Sequence, residues 1–133
     1  NQFALAADRP TTDAALLSRI GSILLEYQRN EAAHSYYIRA LGINPQYLPA
    51  LLNIAVVLDM AGRNAEAQSY YRKALQIAPE DPRGWYAFGL GEFNAGRREQ
   101  ARQAWEKSLR LTSPNHSLHR QIQSRLASLQ TAD

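Results

Sequence analysis

The segment "EAAHSYYIRALGINP", residues 31–45, recurs twice along the chain at a spacing of 34 residues. It returns as "AEAQSYYRKALQIAP" at residues 65–79 and as "EQARQAWEKSLRLTSP" at residues 99–114. Small and aromatic residues hold equivalent positions in the copies, as in Tyr37, Tyr71 and Trp105. Self-similarity at a fixed spacing of this length is typical of repeat proteins, in which each copy forms one structural unit.

Each unit is predicted to contain two helices. In the repeated segments, small and aromatic residues recur at i, i+4, i+7 and i+8, which is one face of a helix. Gly62 and Gly96 stand where a helix would end in a left-handed cap. Pro45, Pro79 and Pro114 prevent the second helices from continuing. The predicted helices lie near residues 14–27, 30–43, 48–61, 64–77, 82–95 and 98–111.

The two ends of the chain differ from the repeated units. A final helix is predicted near residues 116–130, and its apolar stripe would cover the last unit. That stripe consists of Leu118, Ile122, Leu126 and Leu129. Phe3 lies 34 residues before Tyr37, so residues 1–13 are either a tail or the remnant of a preceding unit. The predicted organisation is 1–13, three units at 14–47, 48–81 and 82–115, and a capping helix with a tail at 116–133.

The shared alanines, aromatics, glycines and prolines at this period resemble the tetratricopeptide repeat (TPR) family. The resemblance covers residues 14–115, and Trp85, Phe88 and Gly89 match the signature of the family's first helix. It implies an all-α fold, a right-handed α-α superhelix of about seven helices. It also implies that the first helix of each unit lines a concave groove that holds ligands.

One residue departs from the family pattern inside the predicted core. Glu92 stands where Leu24 and Leu58 stand in the other units. A buried carboxylate needs a partner, so we expect Glu92 to reach Arg120 or Arg125 of the last helix, or solvent at the groove edge.

The first helix of the second unit carries two apolar stripes. One is the core face, with Leu51, Ile54, Ala55 and Leu58. The other has apolar residues spaced by four, and the resemblance implies that it forms the floor of the groove. The same offset in the other helices gives the predicted groove residues Arg19, Leu52, Asn53, Val56, Met60, Arg83, Tyr86, Leu90, Phe93 and Arg120. We expect a contiguous, partly exposed apolar strip flanked by arginines, which suits a peptide or an amphipathic helix.

Composition argues against several other functions. The net charge is +3, and residues 97–133 hold seven basic and three acidic side chains, but aromatics do not interleave with the basic residues, so nucleic acid is not an expected partner. There is no cysteine, and no apolar run reaches the roughly 18 residues of a membrane span. His116 and His119 lack a nearby third metal ligand. We predict no metal, no cofactor and no catalytic residue, and therefore no enzyme.

The predicted function is that of a protein-protein interaction scaffold or adaptor whose concave apolar groove binds a peptide or helix. The preference for Arg over Lys indicates a bacterial source, in which the protein would serve assembly of an envelope complex; cytoplasm and periplasm both remain open. A self-assembling structural protein is one alternative. A second rests on residues 101–129, which resemble the end of bacterial TPR domains that bind apocytochromes during cytochrome c maturation.

The family also contains a clamp for the C-terminal carboxylate of chaperones, and this chain does not match it well. The equivalent positions are Ser18, Ser22, Asn53, Arg83 and Ala87. Of these, Asn53 and Arg83 alone have suitable side chains, so the clamp is not expected here.

Overall fold

The computed structural model describes residues 10–131, and these residues form seven α-helices without a β-strand. In chain order the helices are α1 Pro10–Glu26, α2 Asn30–Ile43, α3 Leu48–Met60, α4 Asn64–Ile77, α5 Pro82–Asn94, α6 Arg98–Leu111 and α7 Ser117–Thr131. The predicted all-α fold is confirmed. Most helix ends lie within a residue of the predicted ones, because the glycines and prolines that end helices are visible in the sequence.

The first helix begins earlier than the sequence predicts. α1 starts at Pro10, so residues 10–13 are helical and the boundary predicted at residue 13 falls inside α1. Proline is favoured at the start of a helix, where its missing N–H has no partner to lose. The comparison of Phe3 with Tyr37 concerns residues 1–9, which lie outside the described part of the chain.

The turns between the helices of each unit share one geometry. Gly62 and Gly96 have φ of +79° and +84°, the left-handed conformation that the sequence predicts. Gln28 takes the equivalent position in the first unit with φ of +59°. At each turn, a backbone N–H two residues past the helix bonds back across it, as from Arg63 N to Leu58 O at 2.8 Å.

The interior of each unit pairs a small residue with a large ring. A Cβ atom built on Gly21 would lie 2.8 Å from Cε1 of Tyr37, and one on Gly89 would lie 2.3 Å from Nε1 of Trp105. Both rings are fully buried, and so is Ala67, as the repeat pattern predicts. The two helices of a unit can therefore pack closely, because no side chain separates them at these points.

The buried residues form two clusters. The larger one runs through α1 to α5, and the smaller one joins α6 to α7 around Trp105. Leu118, Ile122 and Leu129 of α7 are buried in the smaller cluster, with Leu126 partly buried beside them. The apolar stripe predicted for the final helix thus packs on the last unit.

Candidate functional site

The curvature of the helix stack identifies its concave side. The first helices of successive units touch one another, α1 on α3 and α3 on α5. The second helices α2, α4 and α6 make no comparable contacts within the described residues. A stack whose helices approach more closely on one side curves toward that side, so α1, α3 and α5 line the concave face.

Equivalent positions on these helices and on α7 form four rows, which we call the concave rows. Each row contains three residues at i, i+1 and i+4, and rows are 34 residues apart. From α1 to α7 the rows are Ser18, Arg19, Ser22; Leu52, Asn53, Val56; Tyr86, Ala87, Leu90; and Arg120, Gln121, Ser124. The two outer rows are polar and contain arginine, whereas the two middle rows are largely apolar.

An open concavity lies at each end of the concave rows. One, of about 350 Å³, lies between α1 and α3 and is lined by Arg19, Ser22 and Asn53 among others. The other, of about 810 Å³, lies between α5 and α7 and brings Tyr86 together with Arg120. The structure therefore places four of the predicted groove residues in two separate concavities.

A chain of polar contacts joins the first concavity to the core. The Nδ2 atom of Asn53 lies 3.5 Å from Oγ of Ser22, which is 3.1 Å from the hydroxyl of Tyr37. Burial raises the pKa of the Tyr37 hydroxyl above its ordinary value. These contacts hold Asn53 in place while leaving its side-chain oxygen available to accept a hydrogen bond from a ligand.

The apolar middle of the groove is less open than the sequence predicts. Leu52 is only 7% exposed and belongs to the larger core cluster, so the prediction of partial exposure is wrong for this residue. The neighbouring helices α1 and α5 both contact α3 and close over the base of its stripe. Val56 is half-buried, and Met60 at the end of α3 is 57% exposed.

The predicted residues of α5 support the fold as well as facing the groove. Tyr86 and Leu90 are partly buried against the smaller cluster. Phe93 is 37% exposed, and its ring lies 5.9 Å from that of Trp105. Substitutions of these aromatic residues would therefore disturb packing as well as any ligand contact.

The flanking arginines are not equivalent. Arg83 pairs with Asp81, with 2.7 Å between NH2 and Oδ2, and the Arg83 guanidinium lowers the pKa of the Asp81 carboxyl. Asp81 also caps α5 by accepting a hydrogen bond from the backbone N–H of Arg83 at 2.9 Å. Arg19 and Arg120 are exposed, and neither forms an ion pair with another described residue.

The predicted partners of Glu92 are wrong. Glu92 is 5% exposed and faces α4, where it accepts a hydrogen bond from Nε2 of Gln68 at 2.6 Å. Arg97, at the turn after α5, supplies the cation at 3.3 Å. Arg120 and Arg125 cannot serve, because α7 packs on α6 rather than on α4.

A second buried carboxylate beside Glu92 was missed by sequence reasoning. Asp59 accepts a hydrogen bond from the hydroxyl of Tyr71 at 2.8 Å. Burial raises the pKa of Asp59, and the charge of Glu92 raises it further. The signal was present, since Asp59 occupies a position that is apolar in the other units, as Leu25 and Phe93.

The described residues contain no cluster of three or more His, Cys, Asp or Glu side chains that could hold a metal ion. Within the same part of the chain, no helix is both long and apolar enough to cross a membrane.

Comparisons with known proteins agree with this geometry. Residues 24–87 match the family model of the tetratricopeptide repeat, so this part of the chain is TPR sequence. The described chain as a whole has the fold of a TPR superhelix. A search of the curated proteins found no match.

Several solved structures share the fold. The first TPR domain of Spaghetti (RPAP3), bound to the HSP90 peptide SRMEEVD, has a TM-score of 0.75 at 19% identity, covering 92% of this chain and 94% of that one. The Sgt2 TPR domain from Aspergillus fumigatus has a TM-score of 0.77 at 21% identity, covering 89% and 77%. MamA has a TM-score of 0.64 at 28% identity, covering 76% of this chain and 59% of its own.

Proposed function

We propose that residues 14–115 form three TPR units whose concave groove binds a peptide or an amphipathic helix of a partner protein. The observation that carries the proposal is the order of the concave rows, which are polar at α1, apolar at α3 and α5, and polar again at α7. A similar fold in Spaghetti (RPAP3) was solved with a bound peptide, which supports this use of the groove.

The size of the groove fits a short segment of another protein. Neighbouring packed helices are about 10 Å apart, so four concave rows span roughly 30 Å. An extended peptide of about nine residues covers that length, as does a helix of about 20 residues. In either form, apolar side chains would contact Val56 and Leu90, and polar groups would meet Asn53, Arg19 and Arg120 at the ends.

The test is capture of a partner by matched variants. Val56 is half-buried in the concave row of α3, so Val56→Glu places a charge in the groove and should weaken partner binding about tenfold or more, because binding energy concentrates in central contacts. The control is Lys73→Glu, an exposed position on α4 away from the groove. Gln68 cannot serve as a control, since it holds Glu92.

Binding of each variant to the captured partner is compared by calorimetry, after circular dichroism shows equal folding. Loss of binding with Val56→Glu but not with Lys73→Glu supports the groove. Equal binding by all three proteins, or loss with Lys73→Glu alone, contradicts it.

Two more specific forms of this proposal rest on sequence resemblance. One is assembly of a bacterial envelope complex. The other is recognition of a helix of an apocytochrome, since residues 101–129 resemble the end of such domains. The same capture experiment, performed with extracts of the source organism, separates them by the identity of the partner.

A second candidate function is self-assembly, and one surface favours it. The outer face of α1 exposes more than half of Leu16, Ile23 and Tyr27. The residues 34 positions after the first two, Ala50 and Val57, are buried in α3, which packs on α2. α1 therefore exposes a face that the next unit covers with a helix, and exposed apolar faces of this kind mark interaction sites.

Light scattering after size exclusion tests this candidate. If copies associate through this face, Ile23→Ser should reduce the measured mass, whereas Ile38→Ser, at an exposed position of α2, should not. A parent protein that is monomeric at all concentrations would exclude it.

A further inference from the structure

The concavity between α5 and α7 has a chemical character that the groove prediction did not include. The face of α7 that lines it carries short polar residues along its centre, at Ser117, Gln121, Ser124 and Ser128. These positions are three or four residues apart and so lie on one side of the helix. Arg120 and Arg125 line the same concavity on opposite sides of this row, and Tyr86 of α5 lines it from across the groove.

The charge in this concavity is positive and uncompensated. No Asp or Glu of the described residues lines it. Arg120 and Arg125 are exposed, and neither pairs with a carboxylate of the described chain. Other arginines near the groove are already engaged, as Arg83 is by Asp81 and Arg97 by Glu92.

We propose that this concavity binds carboxylates of the peptide that occupies the groove, with Arg120 and Arg125 as the charged donors. The inference rests on the proposed function and adds the chemistry of the partner. Guanidinium groups present paired N–H donors that match the two oxygens of a carboxylate. The short serine side chains leave room for the ligand between the arginines and offer hydroxyl donors.

The position of the concavity also orders the ligand. It adjoins the apolar row of Tyr86 and Leu90, so acidic residues of the partner would follow directly on its apolar anchors. None of the α7 residues occupies a position of the chaperone carboxylate clamp. A peptide fits better than nucleic acid, because a phosphate backbone needs a longer run of cations, whereas neighbouring α6 pairs Arg102 with Glu99 and Glu106.

The test is a nuclear magnetic resonance titration of the whole ¹⁵N-labelled chain with small probes. The probe is acetyl-Glu-Glu-amide, and its neutral control is acetyl-Gln-Gln-amide. Acetyl-Gln-Gln with a free terminus supplies a single chain-end carboxylate, and a short single-stranded oligonucleotide tests the nucleic acid alternative. Because these probes carry no apolar side chain, they report on the concavity alone, and Val56→Glu reports separately on the groove.

We expect acetyl-Glu-Glu-amide to shift the backbone amides of residues 117–128 and of Tyr86 and to saturate. Arg120→Gln and Arg125→Gln should each weaken this binding about fivefold, while Arg72→Gln, at an exposed position on α4, should not. Binding should also weaken with added salt. Saturable binding of the free-terminus probe would support the proposal and assign the carboxylate to a chain end.

Three results would overturn the proposal. They are equal binding of the acid and the neutral amide, binding unaffected by the Arg120 and Arg125 substitutions, and binding of the oligonucleotide in place of the acidic probe. Any of these leaves the test of the groove with Val56→Glu intact. Conversely, a groove that binds no partner while the concavity binds acetyl-Glu-Glu-amide would refute the proposed function alone.

Discussion

Replacing Gly89 by Ala adds one carbon atom at the tightest contact between α5 and α6. The new Cβ would lie 2.3 Å from Nε1 and 2.4 Å from Cδ1 of Trp105. The ring cannot move away freely, because it is fully buried and its Nε1 donates a hydrogen bond to the backbone oxygen of Tyr86 at 3.1 Å. The two helices must therefore separate, or the hydrogen bond must break.

The magnitude follows from two opposing effects. Alanine favours a helix over glycine by about 1 kcal/mol. Forcing an extra carbon into a packed core costs about 1–3 kcal/mol, and loss of the Trp105 hydrogen bond costs about 1 kcal/mol more. Steric overlap wins, so Gly89→Ala should lower the free energy of unfolding by roughly 1–3 kcal/mol.

The chain offers a matched control in α2. A Cβ built on Gly42 meets no atom within 4 Å, so Gly42→Ala should raise the free energy of unfolding by up to about 1 kcal/mol. Urea denaturation followed by circular dichroism measures both. If Gly89→Ala were as stabilising as Gly42→Ala, the close packing of Gly89 on Trp105 would be refuted.

Three further predictions concern the cap of α5, a buried acid and the repeat register. Asp81→Ala removes the cap of α5 and its contact with Arg83, and should cost about 1 kcal/mol in urea denaturation; an unchanged midpoint would contradict the cap. Burial raises the pKa of Asp59 in the folded state, so its contribution to stability is present at low pH and lost as the pH rises through that pKa. Asp59→Asn should therefore gain stability relative to the parent at neutral pH and lose that advantage toward about pH 4; a difference independent of pH would count against this. Ala67 is fully buried, so Ala67→Leu should destabilise by roughly 1–3 kcal/mol, and an unchanged thermal melt would contradict the register.

The helices were predictable because their signals are local. Apolar spacing marks each face, and glycine or proline marks each end. The left-handed turn at Gln28 shows where this signal weakens, since no glycine stands there, yet the backbone takes the same conformation. The register with the other two units identifies the turn where composition alone does not.

The surroundings of the groove were harder to predict, because helical spacing gives the direction of a side chain but not which neighbour it meets. Glu92 points toward α4, so its partner is Gln68 rather than an arginine of α7. Leu52 points toward the groove but is covered by the helices on either side of α3. Both outcomes depend on how far neighbouring helices overlap, and no single segment of sequence contains that information.

The groove is tested most directly by photochemical cross-linking of the captured partner. A photoreactive phenylalanine derivative is placed at Val56 in the concave row of α3, and in a second protein at Arg72 on the exposed side of α4. If the concave rows bind the partner, the residue at position 56 should cross-link to it and the residue at position 72 should not. Cross-linking from position 72 with none from position 56 would contradict a concave binding groove.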